Sequence, residues 1–260
     1  MPLSNVVVLA SHGSFFVPED LRKRLAIDER LLKNFSDFGT KYLLPDCVPE
    51  EQRVVAEFSR ALGDPNRALD DTDLFRETDF GQRPLWKEPL TDKEKSECIE
   101  EFYQKYHHRV AEAIKRAEEV NKRILVVDIH DTGNMILGSN PGEDVIREWS
   151  MPPISLGDRE GRSCDPAITQ FFARALGKNL GLEVSLNTPY KGGYVTEKYG
   201  EEYNQALPQG ECFQRNVIQL EIGRYLYVDE ATQTVLPEKC QWLREGIERA
   251  LEETSQYLIS

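Results

Sequence analysis

An α/β fold is predicted for this sequence: a single domain over residues 1–260 with a central, mostly parallel or mixed β-sheet flanked by helices. Three observations point to it. Short β-branched, apolar runs recur along the chain, stretches of helical period separate them, and several runs end in clusters of polar residues. The central run is Ile124 to Gly133, ILVVDIHDTG, in which apolar residues lead into Asp128, Ile129, His130 and Asp131. Such a run reads as a strand buried on both faces of a sheet, and ligands of open α/β proteins sit at the carboxyl ends of such strands.

The first strand is expected over Asn5 to Ala10, where a β-branched run ends in Ser11, His12, Gly13 and Ser14. From Glu19 to about Leu44, Leu21, Leu25, Leu31, Leu32, Phe35, Phe38 and Tyr42 recur at spacings of helical type. Pro18, Asp28 and Gly39 punctuate them into short helices, with Asp37 and Thr40 near a helix start. Arg53 to Phe58 is a second strand, running into SRALGDPNR. Asp70 to Pro89 is polar and broken by glycine and proline; a loop of that length in a compact domain is usually functional or a lid.

Thr91 to Asn121 reads as one long helix, opened by the Thr91/Glu94 capping-box spacing, with an apolar stripe of Ile99, Phe102, Tyr106, Val110, Ala113, Ile114 and Ala117. It crosses into the Ile124 strand as a βαβ unit requires. Gly138 to Met151 reads as loop and Pro153 to Leu156 as a short strand. Asp165 to Leu180 is a helix with Pro166 at its start and Gly181 just past its end. Glu183 to Leu186 is a strand leading to Gly192 and Gly193, whose lack of side chains permits close approach of backbone to a ligand. A strand from Val217 to Ile222 carries Glu221, Gly223 and Arg224 at its end, and an amphipathic helix from Pro237 to Tyr257 closes the domain.

The formal net charge of -13 argues against nucleic acid or an anionic membrane surface as partner, because both are polyanions. An anionic ligand has to be drawn in by a local cluster of arginines. The opening MPLSNVVVLASHG lacks the basic region and long apolar core of a signal peptide, and no apolar run approaches the ~20 residues that span a bilayer, so a cytoplasmic location is expected. Cys47, Cys98, Cys164, Cys212 and Cys240 are scattered without a CxxC pair and read as reduced thiols.

His12 and His130 each stand at a strand end, whereas His107 and His108 lie on the long helix. Neutral imidazoles with a carboxylate make a zinc site that keeps a position open for catalysis. His12 and His130 would be two ligands; Asp37 and Glu19 are both candidates for the third, since the first helices could bring either to His12. Glu221 lies in an apolar setting, VIQLEIG, where an acid must be paired, protonated or functional, and it suits a general base for the attacking water. Its ordinary structural explanation is an ion pair with Arg224. Arg60 and Arg67 could clamp a substrate carboxylate through their planar guanidinium groups.

The segments SHGSFFVP, SDFGTKYL, SRALGDPNR, FYQKYHHRV, VVDIHDTG, YKGGYVTEKYG and VIQLEIGRYLYVDE, in that order and over nearly the whole chain, resemble the pattern of the N-formylglutamate amidohydrolase family, the deformylating enzymes of histidine breakdown. That family is related to zinc carboxypeptidases, so the resemblance implies a zinc-carboxypeptidase-like fold. It also implies a zinc ion held by His12, Asp37 and His130, and Glu221 as general base and acid. Asn66 and Arg67 match an asparagine-arginine pair that holds the substrate carboxylate in those relatives, with Arg60 matching an arginine just upstream. Arg224 follows the catalytic acid in the family pattern as a further substrate-binding residue. Tyr106 and His107 match a tyrosine-histidine pair on the long helix, and Gly192 and Gly193 a glycine pair beside the substrate. Asp128 would orient His130 as its partner.

The chain departs from the family at Asp131, where serine is common, and at Pro65, where an aliphatic residue is usual. Both fall near the expected pocket, so the metal chemistry carries over while the substrate is set only as a small N-acyl amino acid, with N-formylglutamate as leading case. Two other readings use the same residues: a zinc peptidase or peptidoglycan amidase, and a binding protein of the same fold without activity. Oligomeric state is not written in any of these motifs.

Overall fold

The computed structural model describes residues 2–140, 142–147, 150–208 and 213–259. A six-stranded sheet organises them: β1 (Val6–Ala10), β2 (Arg53–Val55), β3 (Ile124–Thr132), β4 (Ile154–Gly157), β5 (Val184–Leu186) and β6 (Arg215–Gly223), in spatial order β2-β1-β3-β6-β4-β5. β2, β1, β3 and β6 run parallel, β4 lies antiparallel to β6, and β5 is parallel to β4, so the sheet is mixed and mostly parallel as expected.

Strand alternation sorts the central strands into two layers. Val6, Val8, Leu125, Val127, Ile129, Leu220 and Ile222 face α4 (Pro166–Leu180) and α5 (Pro237–Ile259), with Phe172, Leu176, Leu243, Ile247 and Leu251 filling the layer. Val7, Leu9, Ile124, Val126 and Val217 face α1 (Glu29–Phe35) and α3 (Gln104–Val120), against Leu32, Phe35, Tyr106, Val110 and Ile114. Each such aliphatic burial contributes roughly 1.5–3 kcal/mol. Asp128 and His130 share the parity of Ile124 and Val126, so the polar end of β3 continues the stripe that faces α3.

The caps form where the sequence places them. Thr91 and Glu94 make both bonds of a capping box at the start of α2 (Asp92–Cys98), and Asp165 accepts from the N–H of Ala167 ahead of α4, which Gly181 ends at φ 69°. The long helix is not uniform, however. Between α2 and α3 it contains a π-helical turn, Ile99–Tyr103, whose extra residue advances the buried face. Tyr103 is buried in consequence, while Phe102, expected in the stripe, is half-buried.

Other boundaries differ in detail. The segment after β3, expected as loop, includes an antiparallel pair, Met135–Ile136 with Val145–Ile146. The 70–89 segment contains no helix or ladder strand but is packed by its own Leu74, Leu85 and Trp86 and tied by Asp79, which accepts from the N–H groups of Gly81 and Arg83. Cys47, Cys98, Cys164 and Cys240 are free thiols, and Cys212 lies outside the described residues. Among the described residues no helix is long and apolar enough to cross a membrane.

Candidate metal centre and substrate cavity

The carboxyl ends of β1, β3 and β6 meet at one point because of their register. Leu9 pairs with Asp128, and His130 pairs with Glu221, so His12 just beyond β1, His130 within β3 and Glu221 within β6 come together on the α3 side of the sheet. His130 and Asp131 thus belong to the strand itself. Asp37 is brought in by a backbone bond, its N–H donating to the carbonyl of His12 at 3.0 Å, and its own carbonyl starts the short turn at Thr40–Leu43. Glu19, the other acidic candidate, is on a surface turn with its side chain 75% exposed, near Lys23. The third member of the set is therefore Asp37.

The three side chains are close enough to hold a metal ion between them. Nδ1 of His12 and Nδ1 of His130 lie 3.2 and 3.1 Å from the same oxygen, Oδ2 of Asp37, and the potential ligand atoms all fall within 4.8 Å of one another. Each ring is anchored from behind: Nε2 of His130 bonds Asp128 at 2.8 Å, and Nε2 of His12 bonds Asp64 at 2.7 Å. The two Nδ1 atoms face the Asp37 oxygen, hydrogen-bonding it where they carry protons and offering lone pairs beside it where they do not. Three acceptors can converge only around a proton or a cation, so the donor set fits a metal ion held by two imidazoles and one carboxylate.

The surrounding charges agree with that arrangement. Burial pushes the Asp37 carboxyl upward, but its bonds to His12 and His130 outweigh burial and hold it well below the ordinary range. The same contest ends the same way at Asp64, with Arg60 and His12, and at Asp128, with His130. Burial lowers His130 while Asp128 raises it, and the carboxylate prevails.

Asp64 was not among the expected site residues, and it explains Arg60. Nε of Arg60 donates to Oδ2 of Asp64 at 2.9 Å and its Nη2 reaches the same oxygen, so Arg60 braces the carboxylate behind His12 while itself lining the cavity described below. Arg224, which also lines the cavity described below, is likewise engaged by protein acceptors. Its guanidinium is buried and donates to Asp131 Oδ1 at 2.6 Å, to Asn34 O and Oδ1, and to the carbonyl of Ser36 at 2.8 Å, with Asp37 Oδ1 at 3.5 Å. All its donors meet protein acceptors, which makes it a support for Asp37 and Asp131.

Asp131, on the opposite side of β3 from His130, also accepts from Tyr227 Oη. Burial raises its carboxyl to about 6, with Arg224 opposing. Gly39 makes room for Tyr227, because a Cβ there would lie 2.7 Å from the ring.

Glu221 accepts from Thr132 Oγ1 at 2.9 Å and Gln219 Nε2 at 2.8 Å, and burial pushes its carboxyl up to about 7, with His130 opposing. Gln219 was missed, although it stands two residues before Glu221 and so shares its face of the strand. Its Oε1 accepts from the N–H of Gly193 at 2.8 Å. The close approach expected at Gly193 is made by Asn66: a Cβ on Gly193 would fall 2.4 Å from the Asn66 amide, whose Oδ1 in turn accepts from the N–H of Val195.

Asn66 and Arg67 line a cavity of about 460 Å³ together with His12, Asp37, His130 and Glu221, large enough for a small metabolite. Arg76 and Tyr190, neither foreseen, share its wall. His107 is apart from the candidate metal-binding group. It is buried, its basicity lowered to about 3 by burial, and its Nδ1 bonds Tyr199 Oη at 2.9 Å. With Tyr103, which donates to the carbonyl of Arg67 at 2.8 Å, it backs the loop that carries Asn66.

A family model described as N-formylglutamate amidohydrolase matches residues 4–228. N-formylglutamate deformylases of Pseudomonas aeruginosa and Pseudomonas putida are 27% and 28% identical over 187 residues, 68% of this chain but 64% of each relative, so the match spans a little under two thirds of their length. Among solved structures, N-formylglutamate amidohydrolase from Ralstonia eutropha JMP134 has a TM-score of 0.78 at 24% identity, covering 98% of this chain and 94% of that one. A gene product of Agrobacterium tumefaciens has a TM-score of 0.63 at 20% identity, covering 95% and 90%. These two likenesses concern the fold.

Proposed function

The chain belongs to the N-formylglutamate amidohydrolase family, and from that premise we propose that residues 1–260 form one catalytic domain hydrolysing the amide bond of a small N-acyl amino acid, with N-formylglutamate the leading substrate. The observation that carries the reading is the convergence of His12, Asp37 and His130 opposite a buried Glu221 on the wall of one cavity. His12 and His130 through Nδ1, and Asp37 through Oδ2, would hold a zinc ion. When bound, it supplies a Lewis acid to polarise the acyl oxygen.

The remaining work falls to the chain. Asn66 and Arg67 grip the α-carboxylate of the substrate and fix the amide over the metal ligands. Glu221, with a carboxyl near neutrality, takes a proton from the attacking water as its oxygen bonds to the acyl carbon. It then passes that proton to the amide nitrogen as the C–N bond breaks, so that N-formylglutamate yields formate and glutamate. Thr132 and Gln219 hold the carboxylate toward the cavity through both steps.

The deciding experiment measures formate release from N-formyl-L-glutamate by protein of known metal content, before and after chelation and zinc addition. Release that follows zinc content supports the reading. Stoichiometric zinc with no hydrolysis of formyl-, acetyl- or aminoacyl-amino acids would overturn it.

A further inference from the structure

We propose that Arg76 is the specificity residue that recognises the distal carboxylate of an acidic substrate side chain. This rests on the reading of the cavity as an N-acyl amino acid site. Arg76 comes from the 70–89 segment, shortly after Asn66 and Arg67 in sequence, and lines the cavity that exposes the proposed metal ligands and Glu221.

The cations of that wall, which also include Arg147, differ in what they already hold. Arg60 is committed to Asp64, Arg224 to Asp131 and its neighbours, and Lys191 to Glu160 at 2.6 Å. Arg67 reaches Asp71 only at 3.8 Å and stands next to Asn66, at the end of the cavity given to the α-carboxylate. Arg76 has no ion pair and no side-chain hydrogen bond among the described residues. What it has is a ring: its guanidinium carbon lies 5.5 Å from the centroid of Phe80, which itself faces the cavity and packs against Phe35 at 5.2 Å.

An aromatic contact of this kind holds the face of a guanidinium and leaves its N–H groups, which lie in the guanidinium plane, to meet a ligand edge-on. A carboxylate is the group that matches that edge in shape and charge. Phe80 also takes Arg60 at 5.7 Å, so two cations share one ring and the local field favours an anion beside them. A substrate with carboxylates at both ends would thus be held at the α-carboxylate by Asn66 and Arg67 and at the side chain by Arg76. N-formylglutamine, identical in shape, would offer Arg76 only a neutral amide.

The test compares kcat and KM for N-formyl-L-glutamate and N-formyl-L-glutamine in the zinc-loaded wild type, Arg76→Gln and Arg76→Lys, with calorimetric binding of glutarate measured alongside. The expected result is a wild-type preference for the glutamate substrate that falls at least about tenfold in Arg76→Gln, through KM rather than kcat, and is partly restored in Arg76→Lys. A preference unchanged in Arg76→Gln, or an equal loss on both substrates, overturns the assignment while leaving the proposed reaction intact. Absence of all turnover, with glutarate binding that weakens about tenfold or more in Arg76→Gln, overturns the reaction and supports the assignment. Glutarate binding indifferent to Arg76 counts against it in either case.

Discussion

Nε2 of His12 lies 2.7 Å from Oδ1 of Asp64, a carboxylate whose other oxygen is taken by Arg60. This bond fixes the orientation of the His12 ring, with Nδ1 toward Asp37 and the proposed ion. Asp64→Asn keeps the shape and removes the charge. It is expected to weaken zinc binding by about 10–100-fold, measured by competition with a chromogenic chelator. Unaltered affinity would mean that the bond does not orient the ligand.

Glu221→Gln retains the side-chain volume and cannot accept the water proton. Turnover is expected to fall by about 10²–10⁴-fold with zinc content unchanged, by steady-state kinetics and metal analysis. Near-normal kcat would reject Glu221 as base.

The acid limb of the rate profile follows from the same group. As the proposed base Glu221 must be ionised, and its carboxyl stands at about 7 with no ion beside it. A cation at the three proposed ligands favours the carboxylate, so the limb of the zinc-loaded protein is expected at or below about pH 7 and absent in Glu221→Gln. A limb lying well above neutrality in kcat/KM would contradict this.

In the metal-free protein Glu221 also links stability to pH. Its folded value of about 7 exceeds the ordinary 4.5, so the folded state binds the extra proton between those values. The corresponding stability is present below about pH 4.5 and is lost as pH rises through about 7. Melting curves between pH 5 and 8 are expected to show a smaller fall in Tm for Glu221→Gln than for the wild type; parallel slopes would refute it.

Arg224→Met is expected to cost about 3–5 kcal/mol in denaturant unfolding, because it leaves Asp131 buried with its main counter-charge gone. Tyr227→Phe removes one bond to the same carboxylate and should cost about 1–3 kcal/mol. A surface-like loss of under ~0.5 kcal/mol for Arg224→Met would show that Asp131 does not depend on it.

Much of this arrangement was legible in the sequence, because it lies where a strand ends. His12, His130 and Glu221 each follow an apolar run, and period-two alternation places Asp128 behind His130. What escaped was set by chain returns that no spacing encodes. By position alone Asp37 and Glu19 are equal candidates; the resemblance favours Asp37, and the fold ties its N–H to the His12 carbonyl. Asp64 lies in a turn whose return beneath His12 is a long-range contact. Arg60 and Arg224 were recognisable as cations near the site, but which carboxylate each would meet depends on burial and on the path of neighbouring turns. At Gly193 the need for a small residue was visible and its cause, the Asn66 side chain, was not.

The pairing of His130 with Glu221 across two parallel strands has a consequence for how the protein reaches competence. A slip of one residue between β3 and β6 would send one of the two to the opposite face of the sheet, away from its counterpart. The strands involved are joined through segments far apart in the chain, so nothing short of the completed topology brings the two groups together. Enzymatic activity should therefore return during refolding only with the last long-range strand pairing, later than helical signal, and would serve as a stringent reporter of correct assembly.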